Sequence, residues 1–236
     1  MASTNGSSST ADVSVPDQLF HTLLTVADPS GATRTPFVLK SHGTLAAAKA
    51  FARQSLETLG FAPELDFELY RVRGPQDPPP SGSQPWTHGD GVLVFARSFD
   101  GKEFVVGIET TPNNESLPAS PADGELRLPD GARLLHYVVQ IIVDYNTDRS
   151  GAAQTTEILG AYVHRANAWK AAHTCLDPAE YAEFDRRGDG EFVEEWPFGD
   201  DVAVHAVSEN GQNCWVAVKM PPEQKHDLKP HNLKRK

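Results

Sequence analysis

Apolar and polar residues alternate over short stretches of the chain, which is the pattern of strands with one buried face. Residues 19–28 alternate in this way, and residues 36–41 repeat the pattern after a turn at Asp28-Pro29-Ser30-Gly31. The spacing then changes to that of a helix between Thr44, a suitable N-cap, and Gly60, a suitable C-terminal stop. Its apolar residues recur on one face: Leu45, Ala48, Ala52, Leu56 and Leu59.

Strand patterns return after this helix. A strand is predicted at residues 67–72, followed by a hairpin whose first strand carries Val92, Val94 and Ala96 on one side. The hairpin turn contains Asp100-Gly101, and glycine supplies the positive φ that tight turns need. With a return strand at residues 103–109, the order of elements is ββ-α-β-ββ.

The chain then repeats this order. The segment "WTHGDGVLVFARSFDG" at residues 86–101 aligns with "WPFGDDVAVHAVSENG" at residues 196–211, at an offset of 110. Residues 37–56 align with residues 157–176 at an offset of 120, and residues 19–28 align with residues 134–145 at an offset of 115. Three blocks in the same order indicate a tandem duplication with insertions in the loops, because the period is too long for a solenoid repeat.

The second copy has the same predicted elements. Its strands are expected at residues 134–145, 156–162, 191–195, 202–206 and 213–219, with a helix at residues 164–176. We therefore predict an α+β fold in which each copy is a mainly antiparallel sheet covered by one helix. Because one helix covers only one face of a sheet, we expect the two copies to pack together as a pseudo-twofold pair.

This duplication defines the predicted domain organisation. Residues 18–111 form module 1, with a Pro-rich loop at residues 74–85, and residues 132–220 form module 2. Residues 112–131, rich in turn-forming residues, are assigned to the linker. Residues 1–17 and 221–236 are predicted to be a disordered N-terminus and a basic disordered tail.

Charge is unevenly distributed along the chain. The net charge is −11, but the last twelve residues hold five Lys or Arg and one acid, which leaves 16 basic and 31 acidic residues in the remainder. An acidic body repels phosphates, so we expect it to bind no nucleic acid. The basic tail is either a solvated end or a nuclear import signal.

Two features of the sequence bear on the cellular compartment of the protein. No basic segment followed by an apolar run, as in a secretory signal, occurs near residue 1, and no apolar stretch is long enough to span a membrane. Cys175 and Cys214 are too few for a disulfide framework. We therefore expect reduced cysteines and a cytoplasmic protein, or a nuclear one if the tail acts as an import signal, with no membrane association.

Tryptophans supply the candidate partner-binding residues. Trp86 and Trp196 occupy the same place in the two copies, where they either anchor a partner or cap the core of each hairpin. Phe198 follows Trp196 at the position that His88 has in module 1. Trp169 replaces Lys49 of module 1 beside the buried helix face, so it is predicted either to bind a partner or to pack between the copies.

The sequence evidence for catalytic or metal-binding residues is weaker. His88 and Asp90 are spaced as an acid–base couple, but module 2 lacks the histidine. Asp185, Asp189 and Gly190 resemble part of a calcium loop, yet Arg187 stands at the third ligand position and Trp196 at that of the bidentate Glu. His164, His173 and Cys175 lack a recognisable further ligand or nucleophile partner. No phosphate loop or serine elbow is present, and no cofactor or metal is predicted.

These observations favour a non-enzymatic adaptor or regulatory protein that binds another protein. The alternative is an enzyme or small-molecule-binding protein whose site lies in the cleft between the modules. A third interpretation is self-association through exposed sheet edges.

Overall fold

The computed structural model describes residues 13–74, 86–188 and 196–228. Module 1 contains a five-stranded antiparallel sheet with the strand order β2-β1-β5-β4-β3. A long helix, α1, and a short helix, α2, accompany this sheet. The elements are β1 (Gln18–Ala27), β2 (Arg34–His42), α1 (Leu45–Thr58), α2 (Pro63–Asp66), β3 (Phe67–Val72), β4 (Val92–Ser98) and β5 (Glu103–Pro112).

Module 2 has the same topology. Its five antiparallel strands are ordered β7-β6-β10-β9-β8, which matches module 1 strand for strand. The elements are β6 (His136–Val143), β7 (Gln154–Tyr162), α3 (Arg165–Thr174), β8 (Glu183–Arg186), β9 (Val202–Val207) and β10 (Asn213–Lys219). The predicted α+β fold of two duplicated sheet-and-helix modules is confirmed.

One strand lies elsewhere than predicted. The edge strand β8 is formed by Glu183–Arg186, which pairs with β9, whereas the sequence pattern favoured residues 191–195. Those residues lie outside the described part of the chain, as do residues 1–12, 229–236 and 75–85 of the Pro-rich loop. The segment that forms β8 is polar and short, and such sequences are typical of sheet edges rather than of alternating strands.

Strand irregularities are duplicated along with the strands. The pairing of β1 with β2 shifts register between Thr22 and Leu23, and that of β6 with β7 shifts between Val138 and Val139. A second bulge, in the β4–β5 and β9–β10 hairpins, also recurs. Bulges are retained features of a fold rather than defects, so their recurrence is independent support for the duplication.

The register corrects one of the sequence alignments. His21 lies opposite Glu109, and Tyr137 lies opposite Lys219. Since Glu109 and Lys219 correspond at the offset of 110, His21 corresponds to Tyr137, and the offset of the first block is 116 rather than 115. The correction matters because a slip of one residue exchanges the two faces of a strand.

Each helix lies close to its sheet through alanines. Thr44 caps α1 by accepting a hydrogen bond from the Ala47 N–H, and Gly60 has a positive φ of 88° just beyond the helix end. Ala48 and Ala52 of α1 are buried, as are the corresponding Ala168 and Ala172 of α3. Small side chains on this face allow a close approach of helix and sheet.

The two sheets share a core on the faces opposite their helices. Leu19, Leu23 and Val38 of module 1 pack in one cluster with residues of module 2. The module 2 members include Tyr137, Val139, Ile141, Val143, Ile158, Phe198, Val202 and Trp215. At the centre the corresponding residues His21 and Tyr137 meet edge to face, with ring centroids 5.7 Å apart. Contact between equivalent positions is the hallmark of twofold packing.

Segments outside the sheets connect the modules. In the linker, Leu117 and Ala119 are buried, and the Gly43 N–H donates to the Gly124 carbonyl. Residues 221–228, assigned to a disordered tail from sequence, return from β10 to module 1. There the Lys225 N–H donates to the Leu59 carbonyl, and the Lys225 ammonium pairs with Asp66. We call residues 221–228 the C-terminal strap.

No helix in the described part of the chain is both long enough and apolar enough to cross a membrane.

Candidate functional site

A cleft of about 540 Å³ opens between the modules. Its walls come from β2 and α1 of module 1, from the linker, from the start of β6 and from the C-terminal strap. They are mainly apolar and include Leu39, Phe51, Leu59, Leu126, Leu134 and Pro221. Cavities of this volume with apolar walls and a few polar groups are typical of small-molecule sites.

Two of the residues that line this cleft, Ser41 and Tyr137, belong to a buried chain of hydrogen bonds. Ser41 Oγ lies 2.8 Å from the Tyr137 hydroxyl and 2.6 Å from His21 Nδ1. His21 Nε2 lies 2.8 Å from Thr111 Oγ1, and the Thr111 hydroxyl is 3.3 Å from the Pro112 carbonyl. All four side chains are buried, and strands β1, β2, β5 and β6 hold one each.

Burial keeps the two ionisable side chains of this hydrogen-bond network neutral. Burial lowers the pKa of His21 to about 4 and raises the pKa of Tyr137 to about 12, although the hydrogen bond with Ser41 opposes the second shift. An imidazole with so low a pKa is a weak base, and Thr111 offers a hydroxyl where a serine hydrolase has a carboxylate. The geometry therefore suits a static network better than nucleophilic activation of Ser41.

Charged groups stand around the mouth of the cleft. Lys40 Nζ lies 2.7 Å from Glu125 Oε1 across the junction of β2 and the linker. The buried imidazole of His42 lies 3.7 Å from the same carboxylate, and burial is the main cause that lowers the His42 pKa. Arg133 is exposed at the rim. The cleft thus combines mainly apolar walls, a few hydroxyl-bearing residues and a mixed-charge rim.

The acid–base candidates of module 1 lie elsewhere. His88 stacks on Phe95 and contacts the edge of Trp86, with centroids 4.1 Å and 5.0 Å away. Asp90 is exposed, and its main-chain carbonyl accepts a hydrogen bond from the Arg73 guanidinium. Neither residue lines the cleft between the modules. Their catalytic role stays a prediction.

The hairpin tryptophans cap their modules. The Trp86 indole N–H donates to the Gly89 carbonyl at 2.9 Å. Trp196 is half-buried and packs against the core shared by the sheets, and Phe198, only 2% exposed, lies within that core. Partner binding through Trp86, Trp196 and Phe198 stays a prediction, and burial leaves Phe198 no free surface.

Trp169 packs against its own module. Its half-buried indole joins the core between α3 and the module 2 sheet, rather than the core between the two sheets. Arg165 and Arg187 place their guanidinium carbons 5.2 Å and 5.7 Å from the ring centroid. Trp169 is therefore flanked by two cations, which stabilises it where it lies. Its role in partner binding stays a prediction.

Among the residues that the structure describes, the remaining candidates are not brought together into a site. Asp185 lies 3.7 Å from buried His205, and Asp189 and Gly190 fall outside the described residues. Cys175 is an exposed residue, but its thiol turns inward to donate to the Ala172 carbonyl, and the resulting desolvation raises the pKa of the thiol to about 11, which disfavours the reactive thiolate. In the parts of the chain that the structure describes, no cluster of three His, Cys, Asp or Glu side chains could hold a metal ion.

Sequence analysis missed the residues of the cleft. Ser41 and Tyr137 sit in strands as ordinary members of the alternating pattern, and Thr111 lies beyond the predicted end of its strand. The one available signal was His21, an ionisable residue on the same strand face as Leu19 and Leu23. A polar residue on a core-facing stripe indicates a buried hydrogen-bond partner.

No family model, curated protein or solved structure matches this chain.

Proposed function

We propose that this protein binds a small, largely apolar molecule in the cleft between its two modules. The observation that carries the proposal is the cleft of about 540 Å³ whose walls are apolar and whose lining includes the hydroxyl-bearing Ser41 and Tyr137. An apolar cavity that carries a few convergent polar groups gives both affinity and orientation. Duplicated modules supply such a cleft because each contributes one wall.

The position of the cleft supports the proposal. Its walls include Leu39 of β2, Leu126 of the linker, Leu135 at the start of module 2 and Pro221 of the strap. A ligand there would contact both modules and both connecting segments. Its binding would therefore stabilise their mutual packing, because a ligand that binds only the folded protein adds to its stability.

Protein binding through tryptophans is less well supported by the geometry. The indoles of Trp86, Trp169 and Trp196 are each half-buried against their own surroundings. Because part of each indole is already in contact with its own module, less of its apolar surface is left for a partner. The cleft is the better-supported site.

A fluorescence titration with 1-anilinonaphthalene-8-sulfonate tests the proposal. We expect saturable binding to one site in the folded protein. Thr58, which is exposed on the last turn of α1 and lines the cleft, is replaced in Thr58→Trp so that the larger side chain fills the mouth. The matched control is Gln54→Trp, one turn earlier on the same helix and outside the cleft lining.

We expect Thr58→Trp to weaken binding at least tenfold and Gln54→Trp to leave it unchanged. Equal affinities for the two variants would place the dye elsewhere and contradict the proposal. Melting temperatures of both variants verify that each is folded.

A further inference from the structure

A second depression, which we call the strap groove, shares the C-terminal strap with the cleft. It has a volume of about 620 Å³, and Pro221, Pro222 and Glu223 line both it and the cleft. Its apolar lining also includes Phe37, Leu134, Val218 and Met220. Met220 is 58% exposed and Leu134 is 37% exposed. Large apolar side chains that are exposed together and surrounded by polar residues mark an interaction surface.

The charged residues that line the strap groove are mostly acidic. Among the described residues they are four acids and two bases, namely Asp200, Asp201, Glu223, Asp227, Arg165 and Lys219. His136 also lines the groove, and burial lowers its pKa, so its imidazole is neutral at pH 7. An apolar surface surrounded by acids favours a cationic ligand that carries an apolar group.

Two of these carboxylates are accessible to a ligand. The Asp200 side chain is fully exposed, and the guanidinium of Arg187 approaches it only to 3.9 Å. Glu223 is likewise an exposed residue. Lys219, by contrast, is largely buried and lies 2.8 Å from the carboxylate of Asp201, so its positive charge is already balanced.

The chain itself contains a segment of matching chemistry. Residues 229–236, which lie outside the described part of the chain, read "KPHNLKRK" and hold four Lys or Arg, no acid and the apolar Leu233. The segment follows Leu228, which lines a small pocket of module 1 together with Phe37. Because Phe37 and Asp227 also line the strap groove, the residues that precede the segment lie at the border of the groove.

The length of the segment is sufficient for it to dock within the same molecule. Eight residues span up to about 26–29 Å when extended, which is enough to run along a groove of this volume. A segment tethered so close to its site has an effective concentration in the millimolar range. Contacts that are individually weak are therefore sufficient to keep it docked.

We propose that the strap groove binds residues 229–236 of the same chain, with Leu233 against its apolar lining and the basic side chains beside Asp200 and Glu223. This inference is independent of the proposed function, since it concerns a different cavity. The docked segment is covered by the protein's own surface, which withholds its positive charges from other acidic partners.

Trypsin cleavage of the full-length protein tests the proposal. Trypsin cuts after Lys234 and Arg235, and docking slows both cuts because cleavage then requires the undocked form. Intact-mass spectrometry measures the rate at which the residues beyond Lys234 are lost.

Two double variants with the same net charge provide the comparison. Asp200→Asn/Glu223→Gln removes two charges from the groove, whereas Glu68→Gln/Glu183→Gln removes two exposed charges outside it. We expect cleavage of the groove variant to be at least about threefold faster than that of wild type, as is typical for the loss of exposed charge contacts. The control variant should be cleaved at the wild-type rate. Equal rates in wild type and the groove variant would overturn the proposal, and melting curves establish that both variants fold.

A synthetic peptide of residues 229–236 distinguishes other occupants of the groove. Its binding at millimolar concentration is followed by the NMR shift of the Met220 amide in wild type and in Lys234→Glu/Lys236→Glu, whose own segment no longer suits an acidic groove. We expect larger shifts in the variant, because the groove of wild type is already occupied. Equal shifts in both would mean that the groove takes a basic segment of another molecule, and no shift in either would mean that it does not bind this segment. Either result contradicts docking within the same chain.

Discussion

His88 stacks face to face on Phe95, with ring centroids 4.1 Å apart and planes inclined by 8°. At the corresponding positions of module 2 the two residue types are exchanged, and Phe198 stacks on His205 at 4.0 Å and 17°. One ring pair has thus been kept in both copies with its members swapped. The contact itself, rather than either residue type, has been retained through the duplication.

Swapping His88 and Phe95 in module 1 tests whether the two stacked rings are energetically coupled. We expect Phe95→His alone to lower the free energy of unfolding by about 1 kcal/mol, because it stacks two polar rings in a partly buried site. The double variant His88→Phe/Phe95→His recreates the module 2 arrangement, and we expect a favourable coupling energy of about 0.5–1 kcal/mol. Urea unfolding of the four proteins measures it. Additive effects would mean that the two rings are independent.

Phe99, which is exposed in the turn of the same hairpin, provides the control for this double-mutant cycle. Phe99→His is expected to change the free energy of unfolding by less than about 0.5 kcal/mol.

Trp169 and Lys49 occupy equivalent positions, which gives a matched pair of variants. Trp169→Ala is expected to lower the free energy of unfolding by about 2–3 kcal/mol, since it removes half-buried packing and two cation–π contacts. Lys49→Ala, at an exposed site, should change it by less than about 0.5 kcal/mol. Denaturant unfolding compares them. A Trp169→Ala protein as stable as wild type would instead favour a surface role in partner binding.

Acid should destabilise the protein through His21. Burial lowers its pKa from 6.5 to about 4, so between these values the unfolded chain binds a proton that the folded protein excludes. Stability therefore falls as the pH decreases through this window, by about 3 kcal/mol in total from this residue. Urea midpoints between pH 7.5 and pH 4 measure the slope.

The variant His21→Gln should flatten that pH dependence, because glutamine does not titrate. His226 provides a surface control, since 71% of its side chain is exposed, and His226→Gln should leave the slope as in wild type. A wild-type slope in His21→Gln would show that other groups control the acid response.

Glu109 should have the opposite effect on the pH dependence of stability from that of His21. Its carboxylate accepts a hydrogen bond from the Ile158 N–H at 3.0 Å across the module boundary, yet burial raises its pKa, with nearby Glu157 adding to the rise. A carboxyl whose pKa is higher in the folded state favours folding more as the pH falls through that pKa. At neutral pH its charge therefore opposes folding.

Glu109→Gln keeps an acceptor for Ile158 and removes the charge. We expect it to be more stable than wild type at pH 7, with the difference shrinking as the pH approaches the pKa of an ordinary carboxyl. Glu103→Gln, which breaks an exposed pair with Arg97, should change stability by less than about 1 kcal/mol. Thermal unfolding at pH 7 and pH 4 compares the three proteins. A less stable Glu109→Gln at pH 7 would mean that the charge strengthens the hydrogen bond enough to outweigh its burial.

Much of the fold was predictable from sequence because its signals are local. Alternation identified β1, β2 and the hairpin strands, and the spacing from Leu45 to Leu59 identified the buried face of α1. The duplication was visible because both copies keep the same residues at the same turns. Among the described strands, β8 was not predicted where it lies, since Glu183–Arg186 carries no alternation and becomes a strand by pairing with the edge of β9.

A cleft between the modules was one of the sites that the sequence suggested, but its residues were not predictable, because they depend on contacts between distant parts of the chain. Ser41 and Tyr137 are 96 residues apart, and His21 and Thr111 are 90 apart. Periodicity indicates which residues face a core, but it does not identify the groups they meet there. The sequence by itself determined two copies of a sheet-and-helix module. Only the tertiary structure decided that their packing would join four polar side chains in one buried network beside an apolar cleft, because that depends on how two separately encoded surfaces fit together.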